Sequence, residues 1–196
     1  MTIMGQAFQH WHKALLLGLI TLFLMQPLQA QDEVLLEDFV LSTPDTKAPD
    51  QLVANVRFDY QLNDYLRESL LNGVTLKQTI SFDLMWQSDW LWNTTRTLAK
   101  IETELQYHAL SEHYQLVRLD TQEHWNFPNL ASALEFMAVL QGYKLPKLPP
   151  KTLGSGASIV LKALLAPNTP QLPLKLRLLF GDDSAIESQG VMWPLP

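Results

Sequence analysis

Between residues 75 and 87 the chain alternates strictly enough to be read as structure. Leu76, Ile80, Phe82, Leu84 and Trp86 fall on one side, and Thr75, Lys77, Thr79, Ser81, Asp83 and Gln87 on the other. A period of two with one apolar face is the pattern of a half-buried strand. After a turn at Ser88-Asp89, a second alternation sets Ala99, Ile101, Thr103, Leu105 and Tyr107 against Lys100, Glu102, Glu104, Gln106 and His108. Two long neighbours of this kind predict an antiparallel pair.

The rest of the chain is punctuated more loosely. Residues 34–41 and 52–62 read as strands, the first ended by Ser42-Thr43-Pro44-Asp45. Asn63 can cap a short helix through Leu71, with Tyr65, Leu66, Leu70 and Leu71 gathered on one side and Gly73 just past the end. Ser111-Glu112-His113 reads as a turn before a strand over residues 114–120, followed by a loop. Pro128-Asn129 then opens a helix in which Leu130, Ala133, Leu134, Met137 and Leu140 lie at helical spacing, with Gly142 as its stop. Pro146, Pro149 and Pro150 forbid a regular element in the connector that follows. A strand is expected over 158–166, a loop over 167–173, an ambiguous segment over 174–180 and a last strand over 186–193. Extended segments outweigh helices. The expected fold is therefore mainly β with small helices, an α+β chain with an antiparallel β-sandwich-like core and two short helices.

One apolar run belongs to neither period. Residues 14–25 form a twelve-residue stretch broken only by Gly18 and Thr21 and closed by Gln26-Pro27. That is the length of a signal-peptide core and well short of the roughly 20 residues that span a bilayer. Leu28-Gln29-Ala30 followed by Gln31-Asp32-Glu33 suits cleavage after Ala30. The expectation is a signal peptide over residues 1–30, export by general secretion, and a single periplasmic domain over 31–196 with no stable membrane anchor. The absence of cysteine excludes both a lipid-modified cysteine and a disulfide framework. Removing the first thirty residues takes one lysine and no acid, leaving thirteen basic against twenty acidic side chains, a formal charge of −7. A chain so acidic offers no basic stripe to a nucleic acid.

Few residues are arranged for chemistry. His108, His113 and His124 lie close in sequence with Glu112, Asp120 and Glu123, the ligand types zinc accepts, but their spacing matches no zinc signature. Solvated turn residues are the simpler reading, so no metal or other cofactor is expected. No serine sits in a Gly-x-Ser-x-Gly elbow, and Gly154-Ser155-Gly156 lacks the Lys-Ser/Thr of a phosphate loop, so it reads as a turn. Asp182-Asp183, adjacent in an extended chain, would point to opposite faces. No catalytic residue is assigned. Tryptophan is the unusual component. Trp86 continues an apolar face and reads as core, whereas Trp90, Trp92 and Trp125 are the candidate ligand-binding residues, weighed against packing in hairpins.

Several segments in order carry a family likeness: Leu66-Arg67-Glu68-Ser69-Leu70-Leu71-Asn72-Gly73-Val74, Tyr107-His108-Ala109-Leu110, Tyr114-Gln115-Leu116, Phe127-Pro128-Asn129-Leu130-Ala131-Ser132-Ala133-Leu134, Leu172-Pro173-Leu174 and a tail from Ser188 to Trp193. Together they resemble the DUF4390 family of exported Gram-negative bacterial proteins of unknown function. The resemblance implies export and brings no catalytic residues. It also implies a link to envelope sensing, with an envelope protein such as a sensor histidine kinase as partner. The leading expectation is a non-enzymatic binding or accessory protein of the cell envelope. The alternatives are a carrier enclosing a small apolar ligand, or a metal-dependent hydrolase that would need His108, His113 and His124 to converge.

Overall fold

Strand β3 (Leu76–Trp86) lies between β4 (Thr94–His108) and β8 (Ala157–Pro167) and is antiparallel to both. The computed structural model describes residues 34–44, 48–86, 94–168 and 184–195. Outside them lie the segment read as a signal peptide, the turn expected at 88–89, Trp90, Trp92 and the segments read over 169–183 with Asp182-Asp183. Among the described residues the larger sheet runs β10-β8-β3-β4-β5-β6, with β5 (His113–Arg118), β6 (Glu123–Phe127) and β10 (Val191–Pro194); the two-residue β9 (Ile186–Glu187) also pairs with β8. The expected last strand is thus broken at residues 188–190, where Ser188 Oγ accepts a hydrogen bond from Ala163 N at 2.8 Å.

A second sheet has the order β1-β2-β7, from β1 (Val34–Ser42), β2 (Val53–Tyr60) and β7 (Val139–Lys144). The architecture is mainly antiparallel β with two short helices, as the alternation implies. Its core lies between the sheets, where Phe82, Leu84, Ile101 and Leu161 of one face Val56 and Phe58 of the other. A bulge in β1 at Glu37 lets Val34 and Leu36 point inward before it, and Phe39 and Leu41 after it. Without the extra residue one half of the strand would turn its apolar side to water. On the outer face of the larger sheet Glu102 accepts from Lys77 Nζ at 2.8 Å and Lys100 Nζ at 2.7 Å. The bond from Lys100, then that from Lys77, holds its carboxyl below the usual range.

Helix α1 (Asp64–Leu71) is capped by Asn63, whose Oδ1 accepts from Leu66 N at 2.8 Å. Only Leu66 and Leu70 of its four expected apolar positions are buried; Tyr65 and Leu71 are exposed, because a two-turn helix lying on a sheet covers a narrow stripe. Its exit is a Schellman turn, with Val74 N donating to Ser69 O, Gly73 N to Leu70 O, and Gly73 at φ +85°.

Helix α2 (Leu130–Met137) is capped likewise by Asn129 and ends five residues before Gly142. Its terminal carbonyls are claimed by the sheets. Met137 O accepts from Gln78 Nε2 at 3.0 Å and Ala138 O from Phe58 N at 3.0 Å, after which Val139 starts the pairing of β7 with β2. Leu140 is buried as a strand residue, so its helical spacing was coincidental. Gly142, at φ +63°, serves a bulge opposite Asn55, whose Oδ1 accepts its N–H at 2.9 Å.

Candidate functional site

The inward face of the larger sheet is built in rows set by strand register. One row reads Tyr107, Tyr114, Phe127; the next Leu76, Leu105, Leu116, Trp125; the third Gln78, Thr103, Arg118, Glu123. The first two rows are apolar or aromatic and pass from the core to the end strand β6. The third is polar throughout. Gln78 and Thr103 are buried, and Gln78 Nε2 donates to both the Tyr60 hydroxyl and Met137 O, joining the two sheets and the end of α2.

At the β5–β6 end, the smaller sheet no longer reaches across, and α2 lies over the rows instead. Phe136 of α2 sets its ring 5.0 Å from Trp125 and 5.2 Å from Phe127, while remaining 42% exposed. The result is an open cleft of about 500 Å³ walled by Arg118, Trp125 and Phe127 from the large sheet, Ser132, Glu135 and Phe136 from α2, and Val139 and Gln141 from β7. A smaller hollow of about 310 Å³ lies on the other side of α2, against Arg57 and Tyr60 of β2, and Glu135 borders both.

Arg118 is the unusual member. Its guanidinium carbon sits 5.7 Å from the centre of the Trp125 ring, a cation–π arrangement. Its Nε is buried with no hydrogen-bond partner, the one such side-chain polar atom among the described residues. Glu123, its neighbour across the strand pair, accepts from Thr121 Oγ1 at 2.8 Å instead. Neither Arg118 nor Glu135 enters an ion pair among the described residues. Tyr143 stacks on Phe82 with ring centres 6.1 Å apart. Its phenol is pushed up by burial and by the Asp120 carboxylate, against an opposing pull from Arg118.

A family model described as a domain of unknown function, DUF4390, matches residues 40–194. The chain belongs to the DUF4390 family. That match takes in α1, α2 and every strand from β2 to β10, so the cleft lies wholly within the DUF4390 domain. No curated protein matches the chain.

Of the residues singled out from the sequence, Trp125 lines the cleft of this DUF4390 domain. Trp90 and Trp92 lie outside the described residues. Trp86 is half-buried against the core, with Nε1 donating to Ser155 Oγ at 3.2 Å in the Gly154–Gly156 turn. His108 and His113 face each other across β4 and β5, rings stacked 4.9 Å apart, and His108 Nε2 lies 3.3 Å from Gln115 Oε1. His124 lies not before a loop but on β6, opposite Val117, four residues along β5 from His113 and so about 13 Å away. Among the described residues no group of three ligating side chains could hold a metal ion.

Sequence reading missed β6 as a strand, and with it Arg118, Phe127, Glu135 and Phe136 as neighbours. A signal existed. Trp125 and Phe127 alternate with His124 and Asn126, and Arg118 continues at period two the face begun by Tyr114 and Leu116.

Proposed function

We propose that this chain is an exported periplasmic protein that binds rather than catalyses, an accessory protein of the cell envelope whose cleft between β6, α2 and β7 receives its partner. The observation that carries this reading is the pairing of an aromatic wall, half-buried Trp125 and Phe127 with exposed Phe136, with the Arg118 Nε left without a polar partner beside it. Folding alone rewards burying such rings fully and satisfying such a donor, so a surface that leaves both incomplete suits a ligand that completes them. Compartment rests on the amino-terminal apolar run and on family resemblance, which also suggests an envelope sensor histidine kinase as the partner to try first. The space is an open cleft, which favours a protein segment over an apolar ligand carried in an enclosed cavity.

Two measurements test the reading. Mass spectrometry of the chain recovered from the periplasm should find Gln31 as its first residue; an intact amino terminus in a cytoplasmic fraction overturns the export claim. A photoreactive residue in place of Phe136 should crosslink in living cells to one recurring envelope protein, while the same residue in place of the exposed Leu110, at the β4–β5 turn, should not. Equal or absent crosslinking at both positions removes the cleft as the contact surface.

A further inference from the structure

We propose that His108 and His113 form a two-imidazole site for a divalent transition ion of the Cu²⁺ and Zn²⁺ class, where β4 turns into β5. The two residues are register partners in adjacent antiparallel strands, which sets their side chains side by side on one face. Their chain neighbours Tyr107 and Tyr114 pack against the core, so alternation turns both imidazoles to the outer face of the sheet, away from the cleft. Both are half-buried there and within reach of solvent. The rings lie with centres 4.9 Å apart and planes 23° from parallel. Two nitrogens held by one ion at about 2.0–2.1 Å each are roughly 3.3 Å from one another. These rings reach that separation by turning about their own side-chain bonds, with the strands in place.

A second observation points to a ligand. Gln115 Nε2 donates to Asn126 Oδ1 at 3.4 Å, which leaves the amide oxygen Oε1 facing His108 Nε2 at 3.3 Å. An amide oxygen can only accept, so Nε2 carries the proton of the neutral His108 ring and Nδ1 keeps its lone pair. Metal-binding histidines are held in this way, one ring N–H donated to an oxygen while the other nitrogen meets the ion. Asn126, Gln115 and His108 thus form a chain of hydrogen bonds across β6, β5 and β4 that fixes which nitrogen is offered. Among the described residues no third ligating side chain joins the pair. Water then completes the coordination, as in an open, exchangeable site rather than a structural one. Imidazole selects copper, nickel and zinc over the oxygen-seeking Mg²⁺ and Ca²⁺, with Cu²⁺ the tightest.

The test titrates Zn²⁺ and, separately, Mg²⁺ into the untagged, isotope-labelled protein and reads the side-chain nitrogen resonances of histidine. Before metal is added, His108 should show the Nε2–H tautomer. One equivalent of Zn²⁺ should shift His108 and His113 together and leave His124, exposed on the same outer face in β6, unmoved. Mg²⁺ should move none of them, and Cu²⁺ should displace Zn²⁺. His108→Asn and His113→Asn should each weaken Zn²⁺ binding at least about tenfold, and Gln115→Thr about tenfold through the lost hydrogen bond. His124→Asn should change nothing. Zn²⁺ affinity unchanged in both His108→Asn and His113→Asn, or shifts at His124 as large as those at the pair, overturns the site. An Nδ1–H tautomer at His108, with Gln115→Thr binding as tightly as the parent chain, overturns the role given to Gln115 and Asn126.

Discussion

Gln78 sits in the middle of an apolar strand face with two groups to satisfy, the Tyr60 hydroxyl and Met137 O, both out of reach of water. Replacing it by leucine keeps the volume and strands both. Gln78→Leu should therefore cost about 1–3 kcal/mol in urea denaturation despite being a polar-to-apolar change in a core. A gain in stability would mean that the two acceptors find other partners. Burial raises the Tyr60 phenol far above its ordinary value near 10, the bond from Gln78 only partly opposing. The unfolded chain then gives up this proton at a lower pH than the folded one. The contribution is whole below about pH 10 and is lost as pH rises beyond it, at up to about 1.4 kcal/mol per pH unit. Burial shifts Tyr114 and Tyr143 the same way. Urea midpoints should fall steeply above about pH 10, and less steeply in Tyr60→Phe; parallel slopes would put the ionising group elsewhere. Nothing local announces this role, since the partners of Gln78 lie 18 and 59 residues away.

The helices divide by how local their causes are. Both caps are legible because an asparagine three residues before a free N–H needs only its own neighbourhood to act. So does Gly73, whose φ of +85° closes the Schellman turn. A Cβ there would touch nothing within 4 Å, so Gly73→Ala should cost only the left-handed backbone penalty, about 1–2 kcal/mol by thermal or urea unfolding. A neutral outcome would mean that the turn relaxes. The end of α2 is not local. Five apolar residues at helical spacing run on to Leu140 in the sequence, but Gln78 and Phe58 hold the carbonyls of Met137 and Ala138, and β2 takes Val139 into a ladder. Strand β6 was hidden for a different reason. With two apolar residues in five, its alternation is too short to stand against the polar turn before it.

At the scale of the molecule, the cleft follows from a mismatch in width. Three strands, β1, β2 and β7, face a path of six, and the uncovered rows at β5 and β6 are left to a two-turn helix. Alternation along single strands made the β3–β4 pair readable, but the order of strands depends on β8 returning to β3 from about eighty residues away, a contact no window of sequence contains. The mismatch makes Phe82 and Phe136 physically different residues. Phe82 is fully buried between Phe39 and Tyr143, and Phe82→Ala should cost about 3–5 kcal/mol. Phe136 keeps 42% of its surface in water and has Trp125 and Phe127 as ring partners, so Phe136→Ala should cost no more than about 1–1.5 kcal/mol by the same urea titration. A ring whose loss the fold hardly notices has its remaining apolar area available to a ligand. Equal losses at the two positions would make Phe136 part of the core and withdraw the physical case for a binding surface at this end of the sheet.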